Sequence, residues 1–342
     1  MRKLLHEMKV HLVSGEDLVL VTVIAASGSV PRGAGARMLV SKEGRVYGSI
    51  GGGAVEYQAQ LTAREVLQNK RSLDREYTLN HEDKKNLGMI CGGRCSVFFH
   101  YIAAGEEAVI LLAEQAEESF VAGEDLWLIS DLARGGVLSL VKREVSAGEA
   151  SAEAVSPGNI PAYLTHRPCR WQRDGLDLFV EQICTSSTVY VFGGGHVAQE
   201  LVPVLSHVGF RCVVMEDREE FARRELFPTA ERIILGDFNR ISESVTLGSE
   251  DYACIMTRGH AYDTVLQAQI LKNRPCYCGV IGSRSKAAGV RKSLKEDYGL
   301  TEEELNMITT PIGLPIQAVT PAEIAISIAA QMIQHRAHRN EQ

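Results

Sequence analysis

The glycine-rich segment Val191-Phe-Gly-Gly-Gly-His-Val-Ala198 constrains the fold of this 342-residue chain more than any other feature. Gly193, Gly195 and Ala198 fit the spacing G-x-G-x-x-A, between a predicted strand and a predicted helix. In a Rossmann-type unit the first glycine permits a tight turn and the second lets a pyrophosphate approach the backbone. The small third residue allows the helix to pack closely on the strand. The segment therefore predicts a nucleotide-binding turn, with a purely structural strand–helix turn as the alternative.

Short apolar strands alternate with helices from this point onward. Strands are predicted over 188–192, 211–216, 232–235, 252–256 and 277–281, and helices over 196–208 and 262–272. Parallel strands need crossover connections, which such helices supply. We therefore predict an α/β chain whose C-terminal part is a Rossmann-like, doubly wound parallel sheet. A last helix is predicted from Pro321, with Thr320 and Glu323 forming a capping box.

The predicted turn contains the first candidate ligand contacts. The helix that follows it presents unpaired N–H groups and a partial positive charge to an anion. Gly193, Gly194, Gly195 and His196 are the candidate contacts here. For His196 the alternative is a capping or hydrogen-bonding role within the protein.

Two acids and an arginine end the second strand of this half. Glu216 lies 23 residues after Gly193, close to the offset at which an acid meets a ribose hydroxyl. Asp217 and Arg218 follow it directly. Arg218 either contacts a phosphate or forms a surface ion pair.

Polar residues also follow the fourth and fifth strands of this half. His260 and Asp263 come after the fourth strand, at the edge where open α/β sheets bind ligands. Ser283, Arg284 and Lys286 come after the fifth strand and offer hydroxyl and cationic groups for a small anion. The alternative for this last group is a solvated helix start.

The remainder of the chain predicts an α+β domain and a connecting region. Residues 1–105 form the N-terminal domain, with a helix near the N-terminus and a buried strand over 18–26. Further strands are predicted over 37–41, 44–50 and 95–102, and a helix over 54–69. Residues 106–184 connect this domain to the Rossmann-like domain, 185–342, through strands over 127–130 and 137–143 and a loop over 145–162.

The N-terminal domain carries glycine turns and one notable cysteine. Backbone amides around Gly51, Gly52 and Gly53 are suited to holding a phosphate or a pterin. Cys91 precedes two glycines, so its thiol is predicted to be more accessible than one within a strand. It is a candidate ligand for sulfur or a soft metal, and the alternative is an unreactive loop thiol.

Composition and charge exclude several classes of protein. A formal net charge of −7 argues against nucleic-acid binding, which requires a basic surface. The longest early apolar run, 18–26, is too short to cross a bilayer, and the N-terminus has no signal-peptide pattern. We therefore expect no membrane association and a cytoplasmic location. The eight scattered cysteines favour free thiols over a disulfide framework.

Ordered motifs along nearly the whole chain resemble the xanthine dehydrogenase accessory factor family, which includes carbon monoxide dehydrogenase accessory proteins. The motifs in the N-terminal half are Ala26-Ser-Gly-Ser-Val-Pro-Arg32, Gly35-Ala-Arg37, Gly48-Ser-Ile-Gly-Gly-Gly-Ala-Val-Glu56 and Cys91-Gly-Gly93. Those in the C-terminal half are the glycine turn at 193–195, Glu216-Asp-Arg218, Phe227-Pro228, Thr257-Arg-Gly-His260, Asp263, Gly279-Val-Ile-Gly-Ser-Arg284, Pro311-Ile-Gly-Leu314 and Thr320-Pro-Ala-Glu-Ile324.

The resemblance implies a maturation protein rather than a metabolic enzyme. Its members bind the molybdenum cofactor (molybdopterin) as cargo, favour its sulfurated form, and support insertion into a molybdenum hydroxylase. The implied partners are a xanthine dehydrogenase-like apoenzyme, a sulfur-donating cysteine desulfurase and a second copy of the chain in a homodimer. The glycine turn at 193–195, His196, Glu216 and Asp217 would form a nucleotide-like site. Cys91 and the turn at 51–53 would face the pterin.

Two departures from the family pattern bear on the site. Ala54 replaces a cysteine that some members carry, so no thiol acts there. The usual Thr-His after the fourth strand of the Rossmann half is here Thr257-Arg-Gly-His260, which shifts the histidine.

Two other functions compete with the maturation role. An NAD(P)-dependent oxidoreductase agrees with the glycine turn and Glu216, although no hydride-transfer partner set is evident. A structural partner whose Rossmann half has lost its ligand is the third possibility.

Overall fold

The computed structural model describes residues 1–78, 93–143, 163–165, 167–173, 175–258 and 262–339, with the backbone alone at Arg284. The chain divides into two compact units, Met1–Thr185 and Ser186–Gln342. The finer division of the first unit at residue 105 stays a prediction. No helix in these described ranges combines the length and apolarity needed to cross a membrane.

A five-stranded antiparallel sheet is the centre of the first unit. Its strands in chain order are β1 (Leu18–Ser27), β2 (Arg37–Ser41), β3 (Gly44–Gly48), β4 (Leu73–Thr78) and β5 (Arg94–Ile102). Across the sheet the order is β3-β2-β1-β5-β4. The helices in the described part of this unit are α1 (Arg2–Val13), α2 (Gly53–Asn69) and α3 (Glu107–Ala122).

Both faces of this sheet are covered, which explains why β1 is a continuous apolar run. Val19, Val21 and Val23 share one hydrophobic cluster with α2. Leu18 and Leu20 belong to another cluster, with α1 and α3. Strands buried on both faces lose the apolar–polar alternation of a half-exposed sheet.

A second antiparallel sheet completes the first unit. Its strands are β6 (Leu126–Asp131), β7 (Val137–Lys142), β8 (Cys169–Arg173) and β9 (Leu176–Cys184), in the order β7-β6-β9-β8. The sequence pattern did not predict α3, β4, β8 or β9. β4 and β8 are edge strands with mostly exposed or half-buried side chains, so they carry no apolar signal.

The second unit is a six-stranded parallel sheet, so the predicted Rossmann-like architecture is confirmed. The strands are β10 (Thr188–Phe192), β11 (Arg211–Glu216), β12 (Arg232–Leu235), β13 (Tyr252–Ile255), β14 (Tyr277–Val280) and β15 (Ile308–Thr309). The helices are α4 (His196–His207), α5 (Asp263–Leu271), α6 (Arg284–Glu296), α7 (Glu302–Asn306) and α8 (Pro321–Arg339). The predicted capping box at the start of α8 is present, because Thr320 N donates to Glu323 Oε2 at 3.0 Å and Glu323 N donates to Thr320 Oγ1 at 3.3 Å.

The strand order of this sheet creates a crevice at one edge. The order is β12-β11-β10-β13-β14-β15. β11 and β12 therefore lie on one side of β10, and β13, β14 and β15 lie on its other side. α4 and α8 pack on one face of the sheet, and α5, α6 and α7 pack on the other. In open α/β sheets, ligands bind outside the carboxyl ends of the strands at such a switch point.

A buried ion pair links the two sheets of the first unit. Arg37 on β2 donates through Nη1 to Glu181 on β9, and their side chains are 2% and 16% exposed. The Nε and Nη2 atoms of Arg37 are buried without a hydrogen-bond acceptor among the described residues. Burial lowers the pKa of Arg37 to about 10, so the guanidinium stays charged at neutral pH. Arg37 therefore has a structural role in the core, although it lies beside the glycine turns in the sequence.

Removing one partner of this pair is expected to destabilise the first unit. Arg37→Met leaves the Glu181 carboxylate largely buried without its cation, at a cost of about 3 kcal/mol. The double variant Arg37→Met, Glu181→Leu is expected to recover most of that loss, because replacing a whole buried pair by apolar groups is often neutral. Urea unfolding followed by tryptophan fluorescence reports on this unit, since both tryptophans, Trp127 and Trp171, belong to it. A double variant as unstable as the single one would contradict the prediction.

Candidate functional site

The glycine turn between β10 and α4 lies where the sequence predicts it, and each of its three glycines has a different environment. Gly193 has a φ of +110°, and a Cβ there would lie 2.6 Å from the carbonyl oxygen of Met256. A Cβ on Gly194 would lie 2.9 Å from the carbonyl oxygen of Phe221. Gly195, the N-cap of α4, has no neighbouring atom within 4 Å of a Cβ position. The turn is thus tightly packed at its first two glycines and open at its third.

The open side of the turn is suited to an anion. By helical geometry the first amides of α4 have no acceptor within the helix and carry partial positive charge. His196 is the first residue of α4 and is exposed. Gln199 steadies the turn, because its Nε2 donates to the carbonyl oxygen of Gly194 at 2.9 Å. These features allow a phosphate to approach at Gly195 and His196.

Glu216 enters the turn from the end of β11. Its Oε2 accepts the amide of Gly194 at 2.5 Å, and its Oε1 accepts Nε of Arg218 at 2.8 Å. The Glu216 side chain is only 1% exposed. Burial alone would raise the pKa of Glu216, but the hydrogen bonds from Arg218 and the Gly194 amide and the charge of Arg218 lower it, so the group is a carboxylate. Glu216 therefore stabilises the turn through these hydrogen bonds.

Arg218 and Asp217 lie beside this carboxylate. The guanidinium of Arg218 also lies 4.1 Å from the ring centroid of Phe221, a cation–π contact. Burial, together with the hydrogen bond to Glu216 and its charge, raises the pKa of Asp217 to about 6. The Asp217 side chain is 29% exposed, so it is accessible to solvent, unlike that of Glu216.

A cavity of about 160 Å³ lies beyond the end of β14. Asp263 and Gln267 of α5 line it and are buried, and Thr257 Oγ1 donates to Asp263 Oδ1 at 2.7 Å. Ser283, the exposed N-cap of α6, and Lys286 line it near the predicted anion site. The remaining lining is mostly apolar: Val280, Ile281, Val290, Leu294, Leu305 and Ile308.

The structure therefore brings together most of the candidate contacts in the Rossmann half. Gly193–Gly195, Glu216–Arg218, Asp263 and Ser283 all follow the carboxyl ends of four neighbouring strands. His260 and Cys91 lie outside the described residues, and Arg284 is described only by its backbone at the start of α6.

The glycine turns of the first unit also lie close together, at one end of the strands of their sheet. A Cβ on Gly51 would lie 2.4 Å from Cβ of Pro31, in the turn between β1 and β2. A Cβ on Gly93 would lie 2.5 Å from the carbonyl oxygen of Ser29, in that same turn. Gly52 and Gly53 begin α2 with φ values of +73° and +60°. The three turns are thus neighbours, although Ser29 and Gly93 are 64 residues apart in sequence.

A buried carboxylate occupies the turn at 48–53 as well. Glu56 Oε2 accepts the amides of Ile50 and Gly52, each at 3.1 Å, and Ser49 Oγ at 2.6 Å. Arg45 Nη1 donates to Glu56 Oε1 at 2.7 Å. Burial opposes ionisation, but these hydrogen bonds and the charge of Arg45 lower the pKa of Glu56. These two turn amides are therefore bonded to the protein's own carboxylate.

No group of three or more His, Cys, Asp or Glu side chains within the described ranges is placed to hold a metal ion. The seven cysteines in those ranges are free thiols. Burial raises the pKa of Cys212, Cys276 and Cys278 to about 12 in each case, which makes them unreactive.

Sequence reasoning does not single out Gln199, Gln267 or Phe221, or the bracing role of Glu56. Glu56 is visible in the sequence as an acid in the first turn of α2. The position of Phe221 beneath Arg218 depends on the short 3₁₀ turns after β11, which no periodic pattern predicts.

The fold and the turn together define a protein with a Rossmann-type ligand-binding unit joined to an α+β unit. One family model, described as the XdhC Rossmann domain, matches residues 189–332, and a second, described as the XdhC and CoxI family, matches residues 11–78. The chain belongs to the XdhC and CoxI family, which confirms the resemblance to the accessory factors.

Relatives of similar length support this assignment. A Bacillus subtilis (strain 168) protein, named as a probable xanthine dehydrogenase subunit, is 25% identical over 333 residues, 94% of each chain. The molybdenum cofactor insertion chaperone PaoD of Escherichia coli (strain K12) is 21% identical over 96% of this chain and 87% of its own. A crystal structure from Bacillus halodurans, described as a xanthine dehydrogenase, has a TM-score of 0.74 and 24% identity over 99% of this chain and 96% of that one. The last likeness shows the fold.

Replacing the Glu56 carboxylate is expected to destabilise the first unit in a pH-dependent way. Glu56→Gln removes the charge that Arg45 and the two turn amides stabilise, at a cost of about 2 kcal/mol at pH 7. Because the folded pKa is lowered, the stabilisation is complete above the unfolded pKa of about 4.3 and is lost as the pH falls through the folded value. Urea unfolding by tryptophan fluorescence at pH 7 and below pH 4 measures the change.

Glu43→Gln is the matched control, since Glu43 is an exposed acid in the turn between β2 and β3. Its free energy of unfolding is expected to differ little from that of the wild type. A Glu56→Gln deficit that stays constant from pH 7 into the acid range would contradict the assignment of Glu56 as a bound carboxylate.

Proposed function

We propose that this protein binds the molybdenum cofactor as cargo and assists its insertion into a xanthine dehydrogenase-like molybdoenzyme. The observation that carries the proposal is the similarity over 96% of the chain to a molybdenum cofactor insertion chaperone, within one family. The similarity extends through both units, so it includes the Rossmann turn and the glycine turns of the first unit.

The geometry of the Rossmann unit supports an anionic, ring-bearing cargo. The open side of the turn at Gly195 offers helix amides to a phosphate. The cavity beyond β14 is lined mainly by apolar groups, together with the exposed Lys286 and the buried Gln267. Adjacent parallel strands lie about 4.8 Å apart, so the ends of β10 and β14 are separated by roughly 10 Å. That span suits a ligand with a phosphate at one end and a ring at the other.

The finer features of the proposal come from the family. The cofactor would be held in its sulfurated form, with sulfur supplied by a cysteine desulfurase, and the protein would act as a homodimer in the cytoplasm. Cys91 and the turn at Gly51, Gly52 and Gly53 are the proposed contacts on the pterin side. NAD(P) or another nucleotide is a further proposed ligand of the Rossmann turn.

A methyl group on Gly195 is expected to weaken cargo binding without preventing folding. The Cβ of Gly195→Ala enters open space at a negative φ, so the turn keeps its conformation while the approach of a phosphate is obstructed. We expect affinity for molybdopterin to fall about tenfold, equal to about 1.4 kcal/mol. Anaerobic titration with the cofactor, followed by oxidation to a fluorescent pterin, measures the amount bound.

Gly248→Ala is the matched control for this measurement. Gly248 lies in the loop before β13, at the amino ends of the parallel strands and so opposite the Rossmann turn. A Cβ there has no contact closer than 3.6 Å. This variant is expected to bind like the wild type. A wild-type protein without saturable cofactor binding would refute the proposed function. Equal cofactor affinity in Gly195→Ala and the wild type would show that the turn is not part of the binding site.

The thiol of Cys91 is expected to matter for the sulfurated cargo. Cys91→Ser should lower retention of the sulfurated cofactor about tenfold, since a hydroxyl is a poor ligand for soft metals and sulfur. Cys169→Ser, which changes a half-buried thiol on β8, is the control. Pterin and labile sulfide are assayed together after anaerobic gel filtration. Equal retention by both variants would exclude a role for Cys91.

A further inference from the structure

We infer that the Rossmann turn selects a nucleotide whose ribose has a free 2′ hydroxyl, and that Asp217 accepts the hydrogen bond from this hydroxyl. The inference deepens the proposed function, because it assigns the chemistry of a ligand at the same turn. It also moves the ribose contact from Glu216, the acid that the sequence spacing favours, to its neighbour.

Glu216 has no accessible surface for a ribose. Its Oε1 accepts both Nε and the backbone amide of Arg218, at 2.8 and 3.3 Å, and its Oε2 accepts the Gly194 amide and Nη2 of Arg218, at 2.5 and 3.3 Å. With 1% of the side chain exposed, a ligand hydroxyl can reach it only after Arg218 is displaced. Displacing Arg218 would leave a buried charge unpaired, which is costly.

Asp217 is the next residue and lies just outside the end of β11. Its side chain is 29% exposed, on the edge of the sheet to which the glycine turn also belongs. With a pKa of about 6, raised by burial and by Glu216, it is mainly a carboxylate at neutral pH and accepts hydrogen bonds. It has the position and the chemistry that Rossmann domains use for a ribose hydroxyl.

The same segment is unsuited to a 2′-phosphate. Residues 216–220 are Glu-Asp-Arg-Glu-Glu, with four acids and one cation, and so carry a formal charge of −3. That cation, Arg218, is bonded to Glu216 and stacked on Phe221. A 2′-phosphate would therefore face carboxylates without a free guanidinium from this residue.

The next arginines along the chain are also engaged. Arg223 Nε donates to the carbonyl oxygen of Glu220, and Arg224 Nη1 donates to the carbonyl oxygens of Phe227 and Ala230. The cations nearest in sequence to Asp217 therefore stabilise the loop after β11. This arrangement supports selection against a 2′-phosphate.

Isothermal titration calorimetry on the full chain tests the inference with three probes: ADP, 2′-deoxy-ADP and ADP phosphorylated on its 2′ oxygen. In the wild type we expect ADP to bind about tenfold more tightly than either of the other two. In Asp217→Asn and Asp217→Ala, we expect the preference for ADP over 2′-deoxy-ADP to fall to less than threefold, and the penalty on the 2′-phosphate to shrink. Asp297→Asn, at an exposed acid after α6, should keep the wild-type preferences.

Three results would overturn the inference: no binding of ADP, equal affinity for ADP and 2′-deoxy-ADP, or tighter binding of the 2′-phosphorylated probe. Unchanged preference in both Asp217 variants would do the same. Molybdopterin retention is measured on the same preparations. Retained cofactor without ribose selection refutes only the inference, and ribose selection without retained cofactor refutes only the proposed function.

Discussion

The hydrogen bond from the Gly194 amide to the Glu216 carboxylate determines the form of the Rossmann turn. It joins the loop after β10 to the end of β11, and the buried carboxylate is tolerated because Arg218 and the amide neutralise it. Gly193 must remain a glycine for the loop to pass the Met256 carbonyl at this point. The turn is therefore rigid at its base, and only its third glycine and the first amides of α4 remain for a ligand.

The turn at the start of α2 follows the same physical rule. Glu56 accepts two loop amides and pairs with Arg45, so a carboxylate of the protein satisfies donors that the glycine-rich sequence exposes. A glycine-rich turn therefore identifies a place where amides are exposed, and its nearest buried acid decides how many of them a ligand can use. In the first unit the Ile50 and Gly52 amides are bonded internally, whereas in the second unit the internal carboxylate is bonded to Gly194 and the helix start faces outward.

The periodic elements were predictable from sequence, and their causes are local. β10, β11 and β12 have the predicted bounds, because each is a short apolar run between turns. β10 and β11 are mostly buried, as is typical of central parallel strands, whereas the edge strand β12 is half-buried to exposed. The exposed edge strands β4 and β8 show no such run. The ion pair between Arg37 and Glu181 joins residues 144 positions apart, so no pattern in the sequence connects them. The site was predictable where it depends on strand ends and glycine spacing. The partners of Glu216 and Glu56 depend on tertiary packing.

The distinction between Glu216 and Asp217 shows why spacing alone is insufficient to assign a ribose contact. An offset of about 20 residues locates the end of the second strand, but it does not decide which of two adjacent acids there is accessible to a ligand. Glu216 is hydrogen-bonded to the Gly194 amide and to Arg218 within the turn, whereas Asp217 is partly exposed at the surface. An arginine that follows such an acid need not recognise phosphate, since a buried carboxylate beside it competes for the same guanidinium. The accessible charge at the strand end, rather than the first acid in sequence, thus determines what a Rossmann turn of this kind can select.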